Sequence, residues 1–337
     1  MWTARALVIF SAVILSSASV FAQNSPDQNQ SQQNSSQSGA SQPAQKPPAF
    51  PKPAPKQEEP DITFKSEVKL VNVFVTVTDQ AGAPVGGLEK DDFTLEEDHH
   101  AEKIALFSRE SELPLSIVVA IDTSLSTKNN LKLELDSAKR FVHAIIRPVD
   151  AVSLFTFSEL VDQLVPFTAD VRRIDQTIDR IRPGSATAVY DAVYLGSEAL
   201  EDRKGRKVMV IITDGGDTMS KIDFQEAVRE AQQSEAIIYP IIIVPIASNA
   251  GRDIGGEHAL IEIARQTGGK YYYATDLPTI DKAFKQISDE LRTQYLLAYY
   301  PSRRLADSSF RRVEVQVKGH PELHPRHRAG YYTSKNR

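Results

Sequence analysis

The chain has no cysteine in 337 residues. That excludes a disulfide framework, a thiolate metal centre, a cysteine nucleophile and a lipidated N-terminal cysteine. It also lacks a strong charge of either sign, since 39 Lys and Arg against 44 Asp and Glu leave −5. Without a broad basic excess, nucleic acid is not expected as the main partner. Long apolar runs are scarce. The one candidate, Leu7 to Leu15, is too short for a comfortable bilayer crossing, so no transmembrane span is expected in the mature chain. Two signatures of hydrolases, a Gly-x-Ser-x-Gly elbow and a His-Glu-x-x-His pair, are missing as well. The chain is therefore not expected to be an enzyme.

What is present begins with an export pattern. Arg5 gives a positive start, Leu7 to Leu15 an apolar core, and Ser16 to Ala22 a run of small residues. Val20-Phe21-Ala22 suits cleavage before Gln23, so residues 1–22 read as a signal peptide. The alternative is an uncleaved N-terminal anchor. Either way the folded part is expected outside the cytoplasm, as a periplasmic, cell-surface or secreted protein. Residues 23–60 are rich in Gln, Asn and Ser, then in Pro. Such a stretch cannot bury enough apolar surface to offset ordering entropy, and reads as a disordered linker.

Residues 61–112 change character. Val71, Val73, Val75 and Val77 alternate with other residues as a half-buried strand does. Asp79 to Gly82 reads as a turn and Val85 to Leu88 as a short strand. Asp92 to Glu97 and Lys103 to Phe107 add two more. From residue 113 to 292 strands and helices alternate, the pattern of a doubly wound, mostly parallel α/β sheet. Residues 293–337 return to β character. Neither flanking β segment is large enough for a core of its own. The two are expected to pair into one small β-sandwich-like module with the α/β domain inserted between them.

The chemistry concentrates at strand ends. Leu115 to Ile121 is a largely apolar, β-branched run, as suits a strand buried on both faces. It ends in Asp122, Ser124 and Ser126, oxygen-bearing side chains at every second position. Alternate side chains in an extended segment point the same way. One carboxylate and two hydroxyls can thus converge on a hard cation such as Mg²⁺, with Mn²⁺ or Ca²⁺ as alternatives. A second apolar strand, Lys207 to Thr213, ends in Asp214-Gly215-Gly216. Between them lies Gly184-Ser185-Ala186-Thr187-Ala188-Val189-Tyr190-Asp191-Ala192.

Asp-x-Ser-x-Ser, the Thr187 loop and Thr-Asp-Gly after a strand together resemble the von Willebrand factor A domain. The flanking β segments are similar to those of bacterial secreted proteins called von Willebrand factor A-related. The resemblance implies a metal-ion-dependent adhesion site. Carried over residue by residue, its members are Asp122, Ser124, Ser126, Thr187 and Asp214. It implies that Ser124, Ser126 and Thr187 contact the ion directly or through water, while Asp122 and Asp214 balance charge. An Asp or Glu of a protein partner would then take an open position on the metal. Two other readings compete: a hydrolase using the same Mg²⁺, and a structural envelope protein whose metal stabilises the fold.

Other residues invite roles. Asp217 and Thr218 read as site rim or as solvated loop, and Asp191 as a structural hydrogen-bonder. His320, His324 and His327 read as a loop rather than a metal site, given Pro321 and Pro325. Tyr271 to Tyr273 read first as strand residues.

Overall fold

The structure is a computed structural model that describes residues 70–109, 113–125, 131–244, 253–303 and 309–333. The expected signal peptide, the linker and Ser126 lie outside the described residues. The chain divides into two compact units, Met1–Thr63 and Phe64–Arg337, and every described residue belongs to the second. Among them, no helix is long and apolar enough to cross a membrane.

The described chain opens with β1 (Val71–Thr78), β2 (Phe93–Glu97), β3 (His100–Ala101) and β4 (Ile104–Arg109). Alternation follows: β5 (Leu115–Asp122), α1 (Leu131–Ile145), β6 (Ala151–Phe157), β7 (Val161–Thr168), α2 (Val171–Ile178) and α3 (Val189–Leu200). It continues with β8 (Arg206–Thr213), α4 (Phe224–Gln233), β9 (Ile237–Ile243), α5 (Ile254–Thr267), β10 (Tyr272–Ala274) and α6 (Leu277–Thr293). The last strands are β11 (Tyr295–Tyr299), β12 (Phe310–Val317), β13 (His324–Arg326) and β14 (Gly330–Tyr332).

Six strands form the central sheet in the order β10-β9-β8-β5-β6-β7. All its ladders are parallel except that of the edge strand β7 on β6. β5 is an inner strand and all eight of its residues are buried. One face carries Ile117, Val119 and Ile121 in a core shared with Phe141 and Val142 of α1 and Phe284 and Ile287 of α6. The opposite face carries Val118 and Ala120 in a core with Val193 of α3, Val228 of α4 and Leu260 of α5. Each such aliphatic side chain contributes roughly 1.5–3 kcal/mol on burial, so the ends of β5 and β8 are held by packing on both sides. Helix starts are fixed locally. Asp276 caps α6 by accepting from the Thr279 N–H at 3.0 Å, and Pro278 sits in the first turn.

The remaining strands make two four-stranded sheets, β13-β1-β11-β4 and β14-β12-β2-β3. In both, strands from before the α/β stretch pair with strands from after it. β1 runs antiparallel to β11 and β2 to β12. Val71, Val73, Val75, Leu95, Leu297 and Val315 belong to their common core.

Two details differ from the sequence expectations. Val85 to Leu88 is not a strand. The chain there makes one bridge, Thr78 with Pro84, and one bond from the Val85 N–H to the Val77 carbonyl before Gly86-Gly87 lets it turn off. β13 falls where a loop was expected, and pairs Pro325 with Val77. Because β13 is an edge strand, its proline removes no ladder bond on an outer side. β9 runs through Pro240 without a break, and its ladder to β10 begins only at Ile241.

Candidate functional site

β5 and β8 are parallel neighbours, with Ile121 opposite Ile212. Both therefore end at the same edge, which is where open α/β sheets place their sites. Asp122 is the last residue of β5 and is fully buried. Its Oδ1 accepts from the Ser124 N–H at 2.8 Å, and its Oδ2 accepts from the Thr213 hydroxyl at 2.7 Å. Ser124 follows in the turn and is buried. Asp214 stands directly after β8 and is half-buried. Gly215 then takes φ +103, a left-handed conformation open to glycine, and turns the chain off the strand.

The Thr187 loop docks onto the same place. The Gly184 N–H donates to the Thr123 carbonyl at 2.6 Å, and the Leu125 N–H donates to the Ser185 carbonyl at 3.4 Å. Thr187 is 5% exposed. Its carbonyl accepts from the Thr218 N–H at 2.8 Å, and its own N–H donates to the Thr218 hydroxyl at 3.0 Å. Asp122, Ser124, Thr187 and Asp214 thus sit on three segments gathered at one sheet edge.

The electrostatics are acidic. Burial pushes Asp122 up from its ordinary 3.8 to about 6, against the hydrogen bonds from Thr213 and Ser124, and the Asp214 charge pushes the same way as burial. A third carboxylate was not foreseen. Glu134, one turn into α1, is 0% exposed, and neither of its oxygens has a hydrogen-bond partner. Burial first, then the charges of Asp122 and Asp214, push it up from 4.5 to about 8. A charged residue three places after Leu131 and four before Ala138, inside a buried stripe, was the available signal.

Asp217 is not a solvated loop residue. Ala188 offers α3 no side-chain cap. Asp217 Oδ1 instead accepts from the Val189 N–H at 2.8 Å and the Ser220 hydroxyl at 2.5 Å. It therefore caps the helix that follows Thr187. Asp191 Oδ1 accepts from the Lys221 and Ile222 N–H groups, both at 2.9 Å, a structural role.

The C-terminal histidines hold separate local contacts. His320 lies 3.0 Å from Glu322, and His327 Nε2 accepts from the Val315 N–H at 3.2 Å. His99, with Glu96 and Glu314, forms a group whose ligand atoms lie within 4.8 Å of one another, on the strands β2 and β12 and the turn after β2. Among the tyrosines, Tyr272 is buried and donates to Glu290 at 3.1 Å, as a strand residue should.

A family model described as the von Willebrand factor type A domain matches residues 116–286. Among solved structures, the chain is similar to the conserved hypothetical protein BatB from Bacteroides thetaiotaomicron. The identity is 20% over 52% of this chain and 98% of that one, with a TM-score of 0.43. It is similar to the vWF domain of the type V pili tip protein Mfa5 from Porphyromonas gingivalis, at 15% identity, 52% and 94% coverage and a TM-score of 0.41. It is similar also to a von Willebrand factor type A protein from Catenulispora acidiphila, at 11% identity, 81% and 74% coverage and a TM-score of 0.47. A search of curated proteins found no match. The family model covers just over half of the 337 residues and spans the six-stranded sheet except for its first residue, so the chain belongs to the von Willebrand factor type A domain family.

Proposed function

We propose that this chain is an exported protein-interaction module. Its domain at 113–292 binds one divalent cation, Mg²⁺ or Mn²⁺, through Asp122, Ser124, Ser126, Thr187 and Asp214. The ion receives an Asp or Glu from a protein partner. The observation that carries this reading is the acidic edge itself. Asp122 and Glu134 are buried, and the charges of Asp122 and Asp214 both act on Glu134.

The donor set fits a hard cation. Carboxylate and hydroxyl oxygens are the ligands Mg²⁺ takes, and such ions commonly keep water at open positions. A bound divalent ion supplies positive charge and a position for one more oxygen. The chain's own residues do the rest. The Thr213 hydroxyl and the Ser124 N–H fix the Asp122 carboxylate, and the Asp217 cap with Thr218 holds the Thr187 loop against the turn after β8.

Capture of a partner tests the proposal. The full mature chain, immobilised in Mg²⁺, is expected to retain an envelope protein that is released by chelator and not retained by Asp122→Ala. Capture unchanged in chelator contradicts the bridging mechanism. Phosphoester turnover lost in Asp122→Asn would instead favour a hydrolase.

A further inference from the structure

We propose that Glu96, His99 and Glu314 form a cation site of their own, a Zn²⁺ clip between the two β segments that flank the α/β domain. It shares no residue with the strand edge of Asp122 and Asp214 and does not depend on the reading of that edge.

β2 and β12 come from opposite sides of the α/β domain in the chain. They pair antiparallel, with Glu96 directly opposite Glu314. Their neighbours Leu95, Val313 and Val315 point into the core of the flanking sheets. Alternation therefore turns both glutamates to the other face. Like charges directly opposite each other on one face of a ladder are destabilising. Among the described residues no lysine or arginine pairs with either glutamate, and Glu314 faces only His99, at 3.9 Å. Arg303 and Arg311 turn to Asp98 instead, at 2.9 and 3.5 Å.

His99 is held beside the pair by the turn from β2 to β3. Glu97 pairs with His100, so the turn consists of Asp98 and His99, at φ +47 and +67. β12 anchors this turn from both directions. The Asp98 N–H donates to the Arg312 carbonyl, and Asp98 Oδ1 accepts from the Arg312 N–H, each at 3.0 Å. One ligand atom each from Glu96, His99 and Glu314 lie within 4.8 Å of one another. Ligand atoms about 2.1 Å from a tetrahedral Zn²⁺ stand roughly 3.4 Å apart. Glu96 and Glu314 are half-buried and His99 is exposed, so side-chain ends free to move by about 1 Å can close on the ion.

An imidazole with two carboxylates suits Zn²⁺, whereas Mg²⁺ and Ca²⁺ take oxygen throughout. Three protein ligands leave a fourth position for water or for a side chain of another protein. Two of the ligands precede the α/β domain and one follows it. An ion that binds only the folded chain stabilises it. Zn²⁺ would thus fasten the pairing on which both β segments depend.

The test uses the full mature chain in excess Mg²⁺, which competes for an all-oxygen site, with Zn²⁺ alone as the titrant in calorimetry. Four proteins are compared: wild type, Asp122→Ala, His99→Asn and Glu314→Gln. Asparagine tolerates the left-handed backbone, so His99→Asn removes the imidazole and keeps the turn. Circular dichroism in chelator establishes folding, and Glu314→Gln is expected to unfold there no lower than wild type, since it relieves the repulsion with Glu96. Wild type and Asp122→Ala are expected to bind one Zn²⁺ per chain with equal affinity. His99→Asn and Glu314→Gln are expected to bind it about tenfold or more weakly. Zn²⁺ should raise the unfolding midpoint of wild type and leave that of His99→Asn in place. Binding by His99→Asn or Glu314→Gln as tight as that of wild type would put the ion elsewhere and overturn the proposal. Zn²⁺ binding lost in Asp122→Ala, or absent from wild type, would overturn it as well.

Discussion

Glu134→Gln is expected to change how stability depends on pH when the cation is chelated. In the folded chain burial and two neighbouring carboxylates raise the Glu134 carboxyl from 4.5 to about 8. Between those values the folded state holds a proton that the unfolded state has released. Stability from this group is therefore full at low pH and is lost as pH rises toward 8. From 4.5 to neutral pH the window spans about 2.5 pH units, on the order of 3 kcal/mol. Asp122, raised from 3.8 to about 6, acts in the same direction over a lower window. His327 acts in the opposite direction, because burial lowers it from 6.5 and stability rises as it loses its proton. The absolute curve mixes these effects, but the difference between wild type and Glu134→Gln isolates one of them. Urea unfolding in chelator, from about pH 5 to about pH 8, is the assay. The variant should gain on wild type steadily as pH rises. A difference that stays constant across that range would refute the reasoning.

Three further outcomes follow from the packing. Asp217→Ala removes the cap of α3 and is expected to lower stability by about 1–2 kcal/mol, read by thermal unfolding; an unchanged midpoint would deny the capping role. Glu97→Ala strands the hydroxyls of Tyr299 and Tyr331 in the core of the flanking sheets and leaves Arg311 its second carboxylate, Asp98. Its expected loss is about 3–5 kcal/mol by denaturant unfolding, and a loss below about 1 kcal/mol would mean the network behaves like a surface pair. Ending the chain at residue 292 removes β11 and β12, the partners of β1 and β2. The truncated chain is expected to aggregate in light scattering, and equal solubility would show that the two segments do not depend on each other.

The α/β order was legible because its signals are local. Ile117 to Ile121 and Val208 to Ile212 are apolar runs, the first followed directly by Asp122 and the second by Thr213 and then Asp214. Asp276 and Pro278 announced the start of α6, and Gly268, at φ +83, its counterpart at the end of α5. What stayed hidden depends on contacts distant in sequence. An apolar residue such as Leu135 is expected to face the core from α1. The helix instead turns Glu134 fully inward and leaves Leu135 half-buried, because its rotation is set by Phe141 stacking on Phe284 at 4.4 Å. Asp217 caps a helix 28 residues earlier in the chain, a link no local pattern carries. Thr213 reads as the end of the strand and the first residue of Thr-Asp-Gly, and only the β5–β8 pairing brings its hydroxyl to Asp122. Pro325 argued for a loop because the edge position of β13 follows from pairing with β1, more than two hundred residues away.

Isothermal titration of Mg²⁺ into the full mature chain and into Asp122→Ala tests the central claim most directly. One ion per chain is expected in wild type and none in the variant, which should stay folded because the change lies at the sheet's edge. Equal binding to both proteins, or no binding to either, would contradict the assignment of a cation to Asp122, Ser124, Ser126, Thr187 and Asp214.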